Sequence, residues 1–144
     1  MTEGGTRARH DFRNLEVWRK AQDLAVAVLV LIKPLPSDRA TAVLVQQVVK
    51  SATSVGANVA EGHGRFAAGA YRNHLSIARG SANETVHWLD LLCRAGYITE
   101  AQRRPLDAMC DEILRMVSAQ MIELDRQTGN GKAFREERGS YAAD

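Results

Sequence analysis

Glu61 and Glu84 are the residues whose type and setting come nearest to chemistry. Both are carboxylates among small and apolar neighbours, and a carboxylate pair can act as acid and base or hold a metal. Their spacing works against that use. With Glu61 ending one helix and Glu84 midway along the next, antiparallel one, they stand about four to five helical turns apart. The favoured role is structural: bonds to Arg65, Arg79, Asn58 or backbone donors that hold turns or subunit register, with ligand binding second. Asn58 is a polar residue on an apolar helix face. That placement can set register at some cost in stability, or it can serve a bond near the turn at Gly62. Gly62-His63-Gly64-Arg65 is glycine-rich but lacks the lysine and spacing of a phosphate loop, so His63 reads as a turn residue. His74 and His87 are expected to be hydrogen-bonded structural residues, and Trp18 and Trp88 to anchor a core or an interface. Cys93 and Cys110 are the only cysteines and read as buried apolar residues. There is no H-E-x-x-H or Cys/His cluster, so neither a disulfide framework nor a zinc site is expected. No catalytic residue, metal or cofactor is assigned.

The basic residues carry a second, milder signal. Lys plus Arg number 19 against 17 Asp plus Glu, and a net charge of +2 does not mark a nucleic-acid binder by itself. Arg7, Arg9, Arg13, Arg19 and Lys20 load the N-terminal end, and Arg126, Lys132, Arg135 and Arg138 the C-terminal end. Asp11, Asp125, Glu136 and Glu137 are interleaved with them. Arginine predominates, and its planar fork suits phosphate. Gathered at one end of the molecule, Arg7, Arg9, Arg13, Arg19, Lys20, Arg126 and Lys132 are the candidate contacts to RNA or DNA.

Helices must position these groups. A chain of 144 residues that is 45% apolar supports one folded domain. Leu15, Trp18, Gln22, Ala25, Leu29 and Ile32 recur at three and four over residues 15–33, and Ala21, Leu24 and Val28 widen that stripe. Pro34 and Pro36 stop it, and Ser37 or Asp38 can cap a second helix over 38–61. Its face is marked by Leu44, Gln47 or Val48, Ser51, Val55 and Asn58. Lys50 is the only charge between positions 40 and 60, so this helix is either central in its bundle or covered by another subunit. Gly62 is expected at its C-terminal cap.

A third helix, 68–95, carries Tyr71, Leu75, Ala78, Ala82, Thr85, Leu89 and Leu92, with Gly80 marking close packing or a kink. After the turn Gly96-Tyr97-Ile98, Thr99 and Gln102 fit a capping box, and Pro105 belongs to a first turn or kinks a short helix. Leu106, Met109, Ile113, Met116, Gln120 and Leu124 continue the pattern to about residue 126. The prediction is an all-α, antiparallel up-down-up-down four-helix bundle over 14–126, between a flexible N-terminal arm (1–13) and a flexible C-terminal tail (127–144). The runner-up is a pair of helical hairpins whose core is completed on association. The longest apolar run, residues 24–32, falls short of the roughly 20 residues a membrane span needs, and no signal peptide precedes it. A cytoplasmic protein without membrane contact is expected.

Phe12-x-x-Leu15-x-Val17-Trp18-x-x-Ala21, Gln47, Ser54-x-x-Ala57-Asn58-Val59-Ala60-Glu61-Gly62-x-Gly64-Arg65, Ala78-Arg79-Gly80-Ser81-x-x-Glu84 and Gly96-Tyr97-Ile98 occur in that order. Together they resemble the bacterial four-helix bundle family known as the S23 or 23S rRNA intervening-sequence proteins, over residues 12 to about 125. The resemblance implies a small antiparallel bundle that assembles as a ring-like homopentamer. A related branch, the accessory proteins of diversity-generating retroelements, is more basic and engages nucleic acid and a nucleic-acid-processing protein, a reverse transcriptase. One departure concerns the third helix, where the family's serine or threonine cap is replaced by Phe66, Ala67 and Ala68. The expected function is a non-enzymatic homo-oligomeric scaffold or adaptor, probed first at Trp18, Asn58, Glu61, Arg65, Arg79 and Glu84 as register residues. Nucleic-acid binding at the arginine rim is the alternative, and a ligand-binding or enzymatic bundle the remote third.

Overall fold

A computed structural model describes residues 11–128. A 3-10 turn, Phe12–Asn14, leads into four helices: α1 (Glu16–Ile32), α2 (Arg39–His63), α3 (Ala68–Arg94) and α4 (Glu100–Thr128). Arg7, Arg9, Lys132, Arg135 and Arg138, with most of the expected arm and tail, lie outside the described residues. α1 packs on α2, α2 on α3, α3 on α4 and α4 back on α1, while the diagonal pairs barely touch. That is the four-helix bundle with up-down-up-down order, and the described residues contain no strand. No helix among them is long and apolar enough to cross a membrane.

Local chemistry sets the helix ends. The Asp38 carboxylate accepts from Thr41 N at 3.1 Å and from Thr41 Oγ1 at 2.7 Å, which caps α2. Thr99 and Gln102 form the reciprocal box at the start of α4, with Thr99 Oγ1 accepting from Gln102 N at 3.1 Å and Gln102 Oε1 from Thr99 N at 2.9 Å. Ala67 caps α3 without any side-chain bond, the consequence of the missing hydroxyl. α3 ends at Gly96, whose φ of +83° lets Tyr97 N reach back to Leu92 O at 2.9 Å.

Two termini differ from expectation. α2 runs on to His63, so Gly62 is buried inside its last turn and Gly64 takes the cap. Pro105 lies in the interior of one continuous α4 rather than in its first turn or after a separate short helix. Its missing N–H leaves the carbonyl of Ala101 to water, tolerable because Ala101 is exposed.

The core runs the length of the bundle through Leu24, Val28, Val48, Val55, Leu75, Leu89, Ile113 and Val117, all fully buried. On α1 the buried line is Val17, Ala21, Leu24, Val28 and Leu31, whereas Leu29, expected inside, is 43% exposed. Residues 24–32 are apolar all round, so their pattern admits two stripes and packing against α2 and α4 selects one. α2 is not central: like its neighbours it touches two helices, and Val43, Gln46, Lys50, Thr53 and Ala57 face outward.

Candidate functional site

Between α2 and α3 the core is interrupted by a line of hydroxyl and amide groups. Ser51 and Ser54 lie one turn apart on α2, opposite Thr85 and Ser81 on α3. Thr85 Oγ1 stands 2.9 Å from Ser51 Oγ and also 2.9 Å from Ser81 O. Ser51 Oγ donates on to Val48 O at 3.1 Å, and Ser81 Oγ donates to Ser54 Oγ at 3.0 Å. One turn further along, Asn58 Nδ2 donates to Ser54 O and Ser54 Oγ, both at 2.9 Å. Asn58 Oδ1 then faces His74 Nδ1 at 3.2 Å, and since an amide oxygen can only accept, the imidazole donates from Nδ1. Each such bond contributes about 1 kcal/mol net, and a one-turn slip of α3 would strand several buried polar groups at once. The line therefore fixes register. His74 meets Asn58 and no serine hydroxyl, so this geometry does not activate a nucleophile.

Glu61 and Glu84 stand apart from this line and from each other. Both are exposed on the outer surface rather than set among apolar neighbours. Glu61 pairs with Arg65 at 2.9 Å across one turn, a surface ion pair. Glu84 accepts from Trp88 Nε1 at 3.2 Å. Glu84 and His87 stand at the Glu-x-x-His spacing of ferritin-like metal ligands. His87 is exposed and lies edge-on to Trp88 at 4.6 Å, instead of being a hydrogen-bonded inner residue. No group of three or more His, Cys, Asp or Glu among the described residues is placed to hold a metal ion. His63 ends α2 against the ring of Tyr71 at 5.9 Å, and Trp18 is half-buried with Phe12 edge-on at 5.1 Å.

At the arginine-bearing end, most of the described candidates already face a carboxylate. Arg13 binds Asp11 at 2.7 Å, and the guanidinium holds the Asp11 carboxyl down at about 2. Lys20 pairs with Glu112 at 3.4 Å and Arg126 with Glu123 at 3.7 Å. Arg19 reaches only the carbonyl of Asn14, at 3.4 Å. The buried pair at this end went unnoticed in the sequence: Arg72 Nε binds Asp125 Oδ1 at 2.9 Å, with Asp125 only 1% exposed. Residues 53 positions apart give no local signal of meeting.

At the other end Arg103 joins Glu100 at 2.7 Å and also Asp107, while Cys93 Sγ donates to Glu100 Oε1 at 3.2 Å. That bond raises the Cys93 pKa, and burial raises Asp107 and pushes the Cys110 thiol up to about 12. Thiols so raised are poor nucleophiles at neutral pH.

Two unlike exposed faces lie on diagonal helices, an apolar strip on α1 and a mixed apolar and polar one on α3. On α1, Val26 (60% exposed), Leu29 and Val30 (60%) lie at one-turn spacing, with Val43 of α2 (54%) at the same end of the hairpin. On α3, Ile77, Gly80 and Leu91 lie along the exposed edge with Glu84 and His87. A side-chain carbon added at Gly80 would meet nothing within 4 Å, so close packing inside the subunit does not explain this glycine. Arg79, next to it, is half-buried and binds no carboxylate among the described residues.

The family model described as "23S rRNA-intervening sequence protein" matches residues 13–119. The crystal structure of a protein of unknown function from the S23 ribosomal protein family of Bacteroides thetaiotaomicron VPI-5482 is similar, with 33% identity and a TM-score of 0.68. The match covers 73% of this chain and 97% of that one. No curated protein matches.

Proposed function

The chain belongs to the 23S rRNA-intervening sequence protein family, and from that premise we propose that it works as a non-enzymatic homo-oligomeric scaffold or adaptor, a ring of subunits joined head to tail. One observation carries this reading: α1 exposes the apolar strip Val26, Leu29 and Val30, and α3, diagonal to it in the bundle, exposes a different face with Ile77, Gly80 and Leu91 among polar residues. A twofold dimer uses the same patch twice, whereas two unlike patches on opposite sides build a heterologous contact that closes into a ring when the rotation fits. Gly80 supports the same reading, since a mid-helix glycine costs about 1 kcal/mol against alanine and a neighbouring subunit's close approach would justify it. The resemblance to ring-forming relatives favours five subunits as the number.

Native mass measurement tests the proposal. The expected particle is five times 15.8 kDa, and a monodisperse monomer would sink the idea. Val30→Asp on α1 and Ile77→Asp on α3 should each give monomers, because each spoils one half of the contact. Mixed together, the two variants should pair, since one retains an intact α3 strip and the other an intact α1 strip.

RNA or DNA binding at the arginine-bearing end has less support. Arg13, Lys20 and Arg126 each already face a carboxylate. Retention of RNA at low salt that falls steeply with added salt would revive it.

A further inference from the structure

The outer surfaces of α3 and α4 leave an open groove of about 420 Å³, within the roughly 300–1,000 Å³ typical of small-molecule sites. Its polar lining is Arg79 and Asn83 from α3 and Arg115 and Ser118 from α4; Leu114, Ala119 and Ile122 supply the apolar part. Arg79 and Arg115 stand equally far from the α3–α4 turn, so antiparallel pairing puts the two residues at one level, and both line the groove. Ala119 and Ile122 follow Arg115 by one and two turns, which gives the groove a cationic head and an apolar tail.

The pairing of the other arginines on these helices makes these two conspicuous. Arg72 binds Asp125, Arg94 binds Asp90, Arg103 binds Glu100 and Arg126 is beside Glu123. No ion pair engages Arg79 or Arg115 among the described residues, although Asp111 is one turn from Arg115. Arg79 Nε is moreover buried without a hydrogen-bond partner. The two other such atoms, Asp107 Oδ1 and Asp125 Oδ2, belong to carboxylates that an arginine already holds. A sheltered guanidinium with no acceptor of its own lowers its free energy when an anion arrives, and a fork of donors suits a carboxylate or a phosphate.

We propose that the α3–α4 groove binds an amphiphilic anion, a carboxylate or phosphate on a short apolar chain, gripped by Arg79 and Arg115 and lying along Ala119 and Ile122. The probes are octanoate and octyl phosphate, titrated calorimetrically into the full chain below their micellar concentrations, with octyltrimethylammonium and octanol as controls. At least one anion should bind once per subunit, and which one identifies the head group. Arg79→Gln and Arg115→Gln should each weaken binding tenfold or more. Ala119→Trp, which fills the groove and keeps both charges, should abolish it. All three variants should retain wild-type helicity and assembled mass. The proposal is overturned if the helical wild-type protein binds neither anion, or if the cation or the alcohol binds as tightly. Anion affinity unchanged by the substitutions overturns it too. So does a change of assembled mass in Arg79→Gln or Arg115→Gln, which would make the pair a contact between copies.

Discussion

Replacing Gly62 by alanine should destabilise the bundle, although helix propensity argues the other way. The added carbon would lie 2.6 Å from His74 Cβ, 2.9 Å from Tyr71 Cδ2 and 3.3 Å from the Tyr71 carbonyl oxygen. Carbon atoms prefer roughly 3.5–4.0 Å, so α2 and the first turns of α3 must separate by about 1 Å. Neither obstacle is the tip of a flexible side chain: one is the root of His74 and the other a ring braced by its own backbone. Overpacking of this kind costs about 1–3 kcal/mol, and shifting His74 also strains its bond to Asn58, for about 1 kcal/mol more. Alanine returns about 1 kcal/mol of helix propensity. The net loss is about 2 kcal/mol, which at a urea slope of roughly 1–3 kcal/mol/M lowers the midpoint by about 1 M. Urea unfolding followed by circular dichroism measures it, in the Val30→Asp background so that assembly does not contribute. Gly80→Ala is the control of opposite sign, raising stability by about 1 kcal/mol because nothing lies within 4 Å of the new methyl. A Gly62→Ala midpoint at or above that of the parent would refute the close approach of α2 and α3.

Other consequences follow from the polar line, the cap and the thiols. Thr85→Val and Ser51→Ala should each cost about 1 kcal/mol, and the double variant clearly less than the sum, since both remove the same 2.9 Å bond; strict additivity would show that the hydroxyls do not interact. Asp38 has its folded-state carboxyl held below the usual carboxylate range by bonds from the Thr41 hydroxyl and amide. Its contribution is therefore complete above the unfolded value, about pH 4, and fades as pH falls through the lower folded value. The midpoint difference between wild type and Asp38→Ala should thus be present at pH 7 and vanish in strong acid; a difference that grows on acidification contradicts the cap. Cys110, its thiol pushed up to about 12 by burial and then by Asp107 and Asp111, should resist a disulfide reagent at pH 8 until the chain unfolds. Half-buried Cys93 should react first, and equal native rates would show that the core opens more readily than its packing implies.

Much of the architecture was legible because its causes are local. The Asp38 cap, the Thr99–Gln102 box and the stop at Pro34 act within a few residues, and short connections between consecutive helices leave antiparallel neighbours as the economical arrangement. Asn58 could be marked as an oddity on an apolar face, yet its partners could not be named. Glu61 and Glu84 misled because small neighbours in sequence did not mean burial: on a helix, adjacent residues point about 100° apart, and both carboxylates fall on the outer side. Thr85 stands on the stripe given for the third helix, and Ser81 lies one turn before it. That spacing was the available sign of the polar line.

By itself, then, the chain's order of residues determined where helices begin and end, how many there are, and which family pattern they carry. The tertiary structure decided the rotation of each helix about its axis, and most of the chemistry depends on that rotation. It turned Leu29 outward on an α1 run apolar on every side, and made Gly62 indispensable to packing while leaving Gly80 in open space. It joined Thr85 to Ser51 across 34 positions and Arg72 to Asp125 across 53, and set Arg79 and Arg115 on one groove with no ion pair to either among the described residues. Capping and periodicity act along one segment, whereas azimuth is settled only when four surfaces must fill a common core at once.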